Sequence, residues 1–413
     1  MRSLLLLTLL PMALYGCSED SSKIPGDSGG GGDADADTDA DVVCAGATTL
    51  AGDWTIVHGD DAEALCANGE RLLLEGDLTY SGDLDQDPGR LSCVCGVQGR
   101  LRIDAHWGRN DSLQAFTELE YVGENLEDNC YYCSSITGPA SLRSITGGLV
   151  LEGGATTASG FAGLVELGYL AGREADIERI EGFDVLSAMG KLYVADSNLT
   201  DVTGMRNVTA TGSISIIGAR NSEFEFEAVE QADGVRLLGN YALRSVSFPS
   251  LRTVAGDLEV QSYSGEEFNE ALVTLGGFDA VTTVAGSVTI ADNPALRSID
   301  TFESLASIEG DLVVSGNPEL SWCPGLERLA EVRVGGTRSV SDYVDDRSTY
   351  YLDADGDGAG VATTTRSCAL PDGYASVGGD CDDADGSVHP GAVDDCSSVA
   401  VDDDCDGEID EDC

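Results

Sequence analysis

Lysine is almost missing from this chain: only Lys23 and Lys191 occur in 413 residues, and histidine only three times. Lys and Arg together number 22 against 74 Asp and Glu, a formal net charge of -52 at pH 7. That balance excludes a nucleic-acid backbone as a natural partner and disfavours anionic lipid surfaces, leaving cations and basic ligands. It also weakens any reading as a calcium-dependent polysaccharide lyase, which needs a basic residue to abstract a proton. The three histidines, His58, His106 and His389, are far apart. Neither a His-Glu-x-x-His helix nor a strand-turn-helix nucleophile elbow occurs. The composition argues against an enzyme.

A run of apolar residues long enough to span a bilayer is missing too. Leu4 to Leu14 follow Arg2 and suit the core of an export signal, but are too short for a transmembrane helix. The run ends in Leu14-Tyr15-Gly16-Cys17. This resembles the lipobox of bacterial lipoproteins, which implies that residues 1–17 carry the signal and that Cys17 is acylated, anchoring the chain to a membrane. Ser18, not Asp, follows the Cys, which within that family points to the outer membrane over the inner one. Residues 18–43 then read as a tether. Gly29 to Gly32 give flexibility, while alternating Asp33, Asp35 and Asp37 repel and extend the chain by roughly 30 Å or more.

Setting Cys17 aside leaves twelve of the thirteen cysteines, an even number that implies disulfides in an exported protein. Six lie early (Cys44, Cys66, Cys93, Cys95, Cys130, Cys133) and six late (Cys323, Cys368, Cys381, Cys396, Cys405, Cys413). Two self-contained groups are expected, with no pairing assigned. Cys93, Cys95, Cys130 and Cys133 also have the spacing of a tetrahedral zinc site. An oxidising compartment favours disulfides.

Between residues 44 and 336 the chain repeats a Gly-x-apolar-x-apolar unit. Examples are Gly76-Asp77-Leu78-Thr79-Tyr80, Gly212-Ser213-Ile214-Ser215-Ile216 and Gly310-Asp311-Leu312-Val313-Val314. From Trp54 to Val332 the steps are 20 to 30 residues, except for one of 43 that holds two units, with Val165-Glu166-Leu167 read as the missing strand. Period-two alternation marks a strand with one buried face. A spacing near 23 residues leaves no room for a strand plus a long helix, so each unit is one turn of a β-solenoid whose core exists only once turns stack. Asn240, Asn293 and Asn317 each fall five residues after an inward strand position, where side-chain amides can serve backbone groups at a corner. The combined pattern includes Asn293-Pro294-Ala295-Leu296-Arg297-Ser298-Ile299, then Phe302, Leu305 and Ile308. It resembles the receptor L domain family, leucine-rich-repeat-like β-helices that serve as ligand-binding lobes of growth-factor receptors. The resemblance implies a mainly β, right-handed parallel solenoid and a face for protein or glycan recognition.

Residues 343–413 hold about twenty carboxylates against two arginines. Two carboxylates about 5 Å apart repel by roughly 3 kcal/mol at an effective dielectric near 20, so such a segment needs cations to stay compact. Alternating acids closed by glycine suit a hard divalent ion, because the side chains converge while the glycine allows the sharp turn. The candidate ligands are Asp353, Asp355 and Asp357 with the Ala359 carbonyl, then Asp380, Asp382, Asp383 and Asp385, then Asp402, Asp404, Asp406 and Asp410. The first loop is not an EF-hand, since its twelfth position is Thr364 instead of the bidentate Glu. Asp353-Ala354-Asp355-Gly356-Asp357-Gly358, Pro371-Asp372-Gly373-Tyr374, Gly379-Asp380-Cys381-Asp382-Asp383 and Asp404-Cys405-Asp406-Gly407 occur in fixed order. They resemble the metal-binding repeat of MopE-like bacterial surface proteins, which implies a small, disulfide-rich, loop-dominated module that binds divalent metal. That family name carries a copper association. Copper prefers imidazole, thiolate or thioether donors, whereas this segment has one histidine and no methionine. Calcium is the expected ion and copper the alternative.

Overall fold

The computed structural model describes residues 44–81, 90–104, 112–130, 133–173, 176–196, 198, 201–265, 267–393 and 401–409. The signal, Cys17 and the tether lie outside these residues, as do Cys396, Asp410 and Cys413. The protein is mainly β, with 39% strand and 7% helix, and forms a parallel β-solenoid of about 12 turns.

One column of side chains defines the register. Trp54 pairs with Leu78, then Leu101, Leu126, Leu149, Leu170, Leu192, Ile214, Val235, Leu258, Val288 and Leu312. All these pairings are parallel, and every member after Trp54 is buried. A slip of one residue would turn the whole column to solvent, so apolar alternation and register enforce each other. Two expectations need correction. The turn hidden in the 43-residue step uses Leu170, not Val165, which is 58% exposed; Leu167 instead pairs with Ile145 in the preceding short segment. At the far end, Arg338–Val340 pairs with Leu312–Val314, while Arg333–Val334 pairs with the short Ser307–Ile308. Stacked strands therefore continue past residue 336.

The repeated glycine has a steric cause. A Cβ on Gly286 would lie 2.4 Å from the carbonyl carbon of Gly256, and one on Gly310 2.7 Å from that of Gly286. Each such glycine sits directly on the peptide of the turn before it, a contact no other residue permits. Beside them, short polar side chains bridge turns through backbone amides: Ser287 N–H donates to Asp257 Oδ1 (2.8 Å) and Asp311 N–H to Ser287 Oγ (3.0 Å).

Two internal ladders hold the corners. Phe226, Phe248, Phe278 and Phe302 stack with ring centroids 4.8, 5.3 and 5.7 Å apart. Asn240, Asn269, Asn293 and Asn317 are fully buried. Asn293 is typical: its amide Nδ2 donates to the carbonyls of Val260 and Ala291 (both 3.0 Å), and its Oδ1 accepts from Asn269 Nδ2 (2.8 Å). The anticipated asparagines are in place, and Asn269 joins them. It is displaced along the chain by the insertion that makes this one step 30 residues long. Replacing Asn293→Ala strands several buried backbone and amide groups at once. The expected cost is about 3 kcal/mol, given roughly 1–3 kcal/mol per unsatisfied buried group. It is to be read as a lower denaturant midpoint at unchanged slope; a midpoint within error of wild type would contradict the ladder's role.

The acidic segment joins the last turn closely. Cys323 is bridged to Cys368, Trp322 N–H donates to the Val344 carbonyl (3.0 Å), and the Arg347 guanidinium lies 4.3 Å from the Trp322 ring centroid. Arg347 and Arg366 both bind Asp345, and the hydrogen bonds from Arg347 hold its carboxyl down to about 2. Ser348–Leu352 then runs antiparallel to Thr364–Ser367, so the stacking pattern of the solenoid ends here.

Candidate metal centre

The first acidic loop begins at the end of Ser348–Leu352 and curls inward. Gly356 and Gly358 have φ of 82° and 99°, a left-handed backbone in which a side chain is strained. Their amides bind Asp353: Gly356 N–H donates to Oδ1 (2.7 Å) and Gly358 N–H to Oδ2 (3.2 Å). Such aspartate-to-amide bonds form the turn itself.

The second acidic run meets this loop through the short parallel pairing of Ala359–Gly360 with Val377–Gly378. The amides of Gly379 and Asp380 both donate to the Gly360 carbonyl, at 3.0 and 3.2 Å. Asp380 is thereby brought beside Asp355 and Asp357, more than twenty residues earlier in the chain. All three divide their oxygens in one way. Each Oδ1 accepts a backbone N–H two residues ahead: Asp355 from Asp357 (3.3 Å), Asp357 from Ala359 (2.7 Å) and Asp380 from Asp382 (2.8 Å). Each Oδ2 is buried and has no hydrogen-bond partner. The three carboxylates offer oxygens within 4.8 Å of one another, and Asp380 is only 8% exposed.

Buried polar atoms are almost always satisfied, so three grouped carboxylates, each with an orphaned buried oxygen, make a cluster that could hold a cation. Desolvation, and then the charges of Asp357, Asp380 and Asp353, raise the pKa of Asp355 above its ordinary value. That is the sign expected where negative charge is crowded without a counter-ion.

Two further groups surround or echo this centre. Asp353, Asp355 and Asp383 converge in the same way, sharing Asp355, and Asp383 Oδ1 accepts from Ala354 N–H (2.7 Å). Asp402, Asp404 and Asp406 form the third group, on a turn closed by Gly407 at φ 96°. In that group both oxygens of Asp402 accept amides, from Asp406 (3.1 Å) and Gly407 (3.0 Å). The disulfide between Cys381 and Cys405 ties this turn to the residue after Asp380.

Of the expected ligands, Asp382 and Asp385 fall outside the three groups. Asp385 Oδ1 accepts from both the amide and hydroxyl of Ser387, which lowers its pKa; it shapes a turn. Acidic runs expected to act on separate loops are thus brought together, residues 353–357 with 380–383, in two groups that share Asp355. Spacing along the chain could not reveal it, because no local pattern records the pairing of Gly360 with Gly378. The zinc alternative is overturned. Cys66 bonds Cys93 and Cys130 bonds Cys133, so these thiols are spent on disulfides. His389 belongs to none of the three acidic groups, and its Nδ1 lies 3.3 Å from its neighbour's carbonyl oxygen at Pro390.

The solenoid flank carries a shallow groove of about 510 Å³ lined by Arg179, Asp201, Glu223, Glu225, Ser245 and Ser247 among others. Its lining is mostly acidic or hydroxylic. Comparisons with family models, with curated proteins and with solved structures give no match to this chain.

Proposed function

We propose that this is an exported, lipid-anchored surface protein of binding or structural type, whose C-terminal module takes up calcium and whose solenoid presents a face for recognition. The observation that carries the calcium reading is the grouping of Asp355, Asp357 and Asp380, each of which also has a buried oxygen without a partner. An all-oxygen, all-carboxylate set suits a hard cation. Asp353 and Asp383 would complete the shell, with Asp402, Asp404 and Asp406 as a second station. When bound, the ion would neutralise the crowded charge and hold the two acidic runs together. No observation favours copper, since neither imidazole nor free thiolate belongs to any of the three groups. Equilibrium dialysis of the full chain against calcium, magnesium and copper tests this. Calcium retained at millimolar levels or below supports it, while retention of copper alone refutes it.

The anchor rests on Leu14-Tyr15-Gly16-Cys17. Fatty-acid labelling in a bacterial host is expected to mark the wild type and not the Cys17→Ser variant, which should be recovered as soluble protein. Label persisting in the variant would exclude acylation at Cys17. For the solenoid, the acidic groove supports a basic ligand, and a screen of the ectodomain against protein and glycan arrays would identify its class.

A further inference from the structure

Eight of the described cysteines form four disulfides, and the two that remain, Cys44 and Cys95, lie against each other. Both are buried, 3% and 0% exposed, in a small apolar cluster with Leu73 and Tyr121 that is separate from the main core. Cys95 reaches that cluster because of a β-bulge. Leu72 pairs with Val94, but Leu73 pairs with Gly96, so Cys95 is the extra residue. A bulge re-aims a side chain. Here it separates Cys95 from Cys93, which sits in the main core bonded to Cys66. Gly96 completes the fit: a Cβ there would lie 2.7 Å from Cys44 Sγ, so only glycine leaves room for the sulfur.

We propose that Cys44 and Cys95 are joined in a third disulfide of the N-terminal turns, fastening the point where the acidic tether enters to the third turn of the solenoid. The inference rests on the exported location proposed above. In its formation two S–H bonds break and one S–S bond forms. Two electrons and two protons pass to a disulfide oxidant of that compartment, which leaves as two thiols. The hydrogen bond between the two thiols, with burial, pushes Cys44 up, while the same bond pulls Cys95 down. Those directions belong to the folded pair; during folding either thiol can attack the oxidant as its thiolate and the other then resolves the mixed disulfide. Burial places this step during folding, before the turns close. A metal site is the weaker reading, since no third ligand converges on the pair among the described residues. The consequence is mechanical. Tension on a membrane anchor at Cys17 would arrive at Cys44 and pass across the first turns through a covalent bond, instead of peeling the edge strand Thr48–Leu50 from Leu72–Leu74.

The test is peptide mapping of the full chain, purified from an oxidising compartment, denatured in acid without reductant and treated with a thiol-alkylating reagent. A cross-linked peptide containing Cys44 and Cys95, with neither residue alkylated, is expected. The Cys95→Ser variant should then expose Cys44 to alkylation. Alkylation of both residues in the wild type would overturn the proposal, and so would either one bonded to another cysteine. The same map separates this from the export reading. Free thiols at Cys44 and Cys95 alone, with the other four bridges intact, would refute this bond only; free thiols throughout would refute the exported location as well.

Discussion

Calcium at about 100-fold excess over its dissociation constant is expected to stabilise the folded protein by about 2.7 kcal/mol. The melting transition of the C-terminal module should rise by roughly 10–20 °C relative to chelator. The reason is the state of Asp355, Asp357 and Asp380 without an ion: three carboxylates are crowded together, each with a buried oxygen that accepts no hydrogen bond. Binding converts that repulsion into coordination, so the ion favours the folded chain over the unfolded one. Extracellular calcium modules bind at about 0.1–1 mM, which sets the range to be titrated. The decisive variant is Asp380→Asn. It keeps the side-chain oxygen that accepts from Asp382 N–H and removes one negative charge from the centre. In chelator it is expected to melt no lower than wild type, because repulsion is relieved. In calcium it should gain little. Equal destabilisation with and without calcium would mean that Asp380 is only structural, and the metal centre would be discarded. Differential scanning calorimetry in calcium, magnesium, copper and chelator reads all of these outcomes.

Phe248→Ala is expected to cost about 3–5 kcal/mol, the largest effect of any single substitution considered. Phe248 is fully buried, with stacked neighbours on both sides, Phe226 at 4.8 Å and Phe278 at 5.3 Å. Deleting the ring opens a cavity between two turns that cannot close, because the backbone hydrogen bonds of adjacent turns fix their spacing. A solenoid gains stability from nearest-neighbour interfaces, so a lesion in the middle should also split one unfolding transition into two. Val185→Ala is the control: Val185 is 51% exposed, and a change within about 0.5 kcal/mol is expected. Equal effects of the two substitutions in a denaturant titration would contradict the stacked-ring account.

The solenoid was legible in the sequence because its rule is local. An apolar side chain at every second position, a glycine before it and a turn after it recur at nearly constant spacing. Stacking then follows from the need to bury one face of each strand. Leu78, Leu101, Ile214, Leu258 and Val288 could all be placed this way, and Asn240, Asn293 and Asn317 with them. Reading by spacing failed where the spacing itself changed. Spacing points to Val165 where the stack holds Leu170, to Val332 where it holds Arg338, and gives no signal for Asn269, because insertions shift a side chain's number without shifting its place in the stack. For the acidic module, the sequence alone pointed to carboxylates of the type that suits a hard cation, since charge and glycine placement are local properties. Which of them do converge was a tertiary matter. Asp380 reaches Asp355 through the Gly360–Gly378 pairing, and the Cys381–Cys405 bridge brings the third turn alongside. Likewise only the fold separated Cys93 from Cys95, because one bulged residue turned neighbours of the same kind toward different partners.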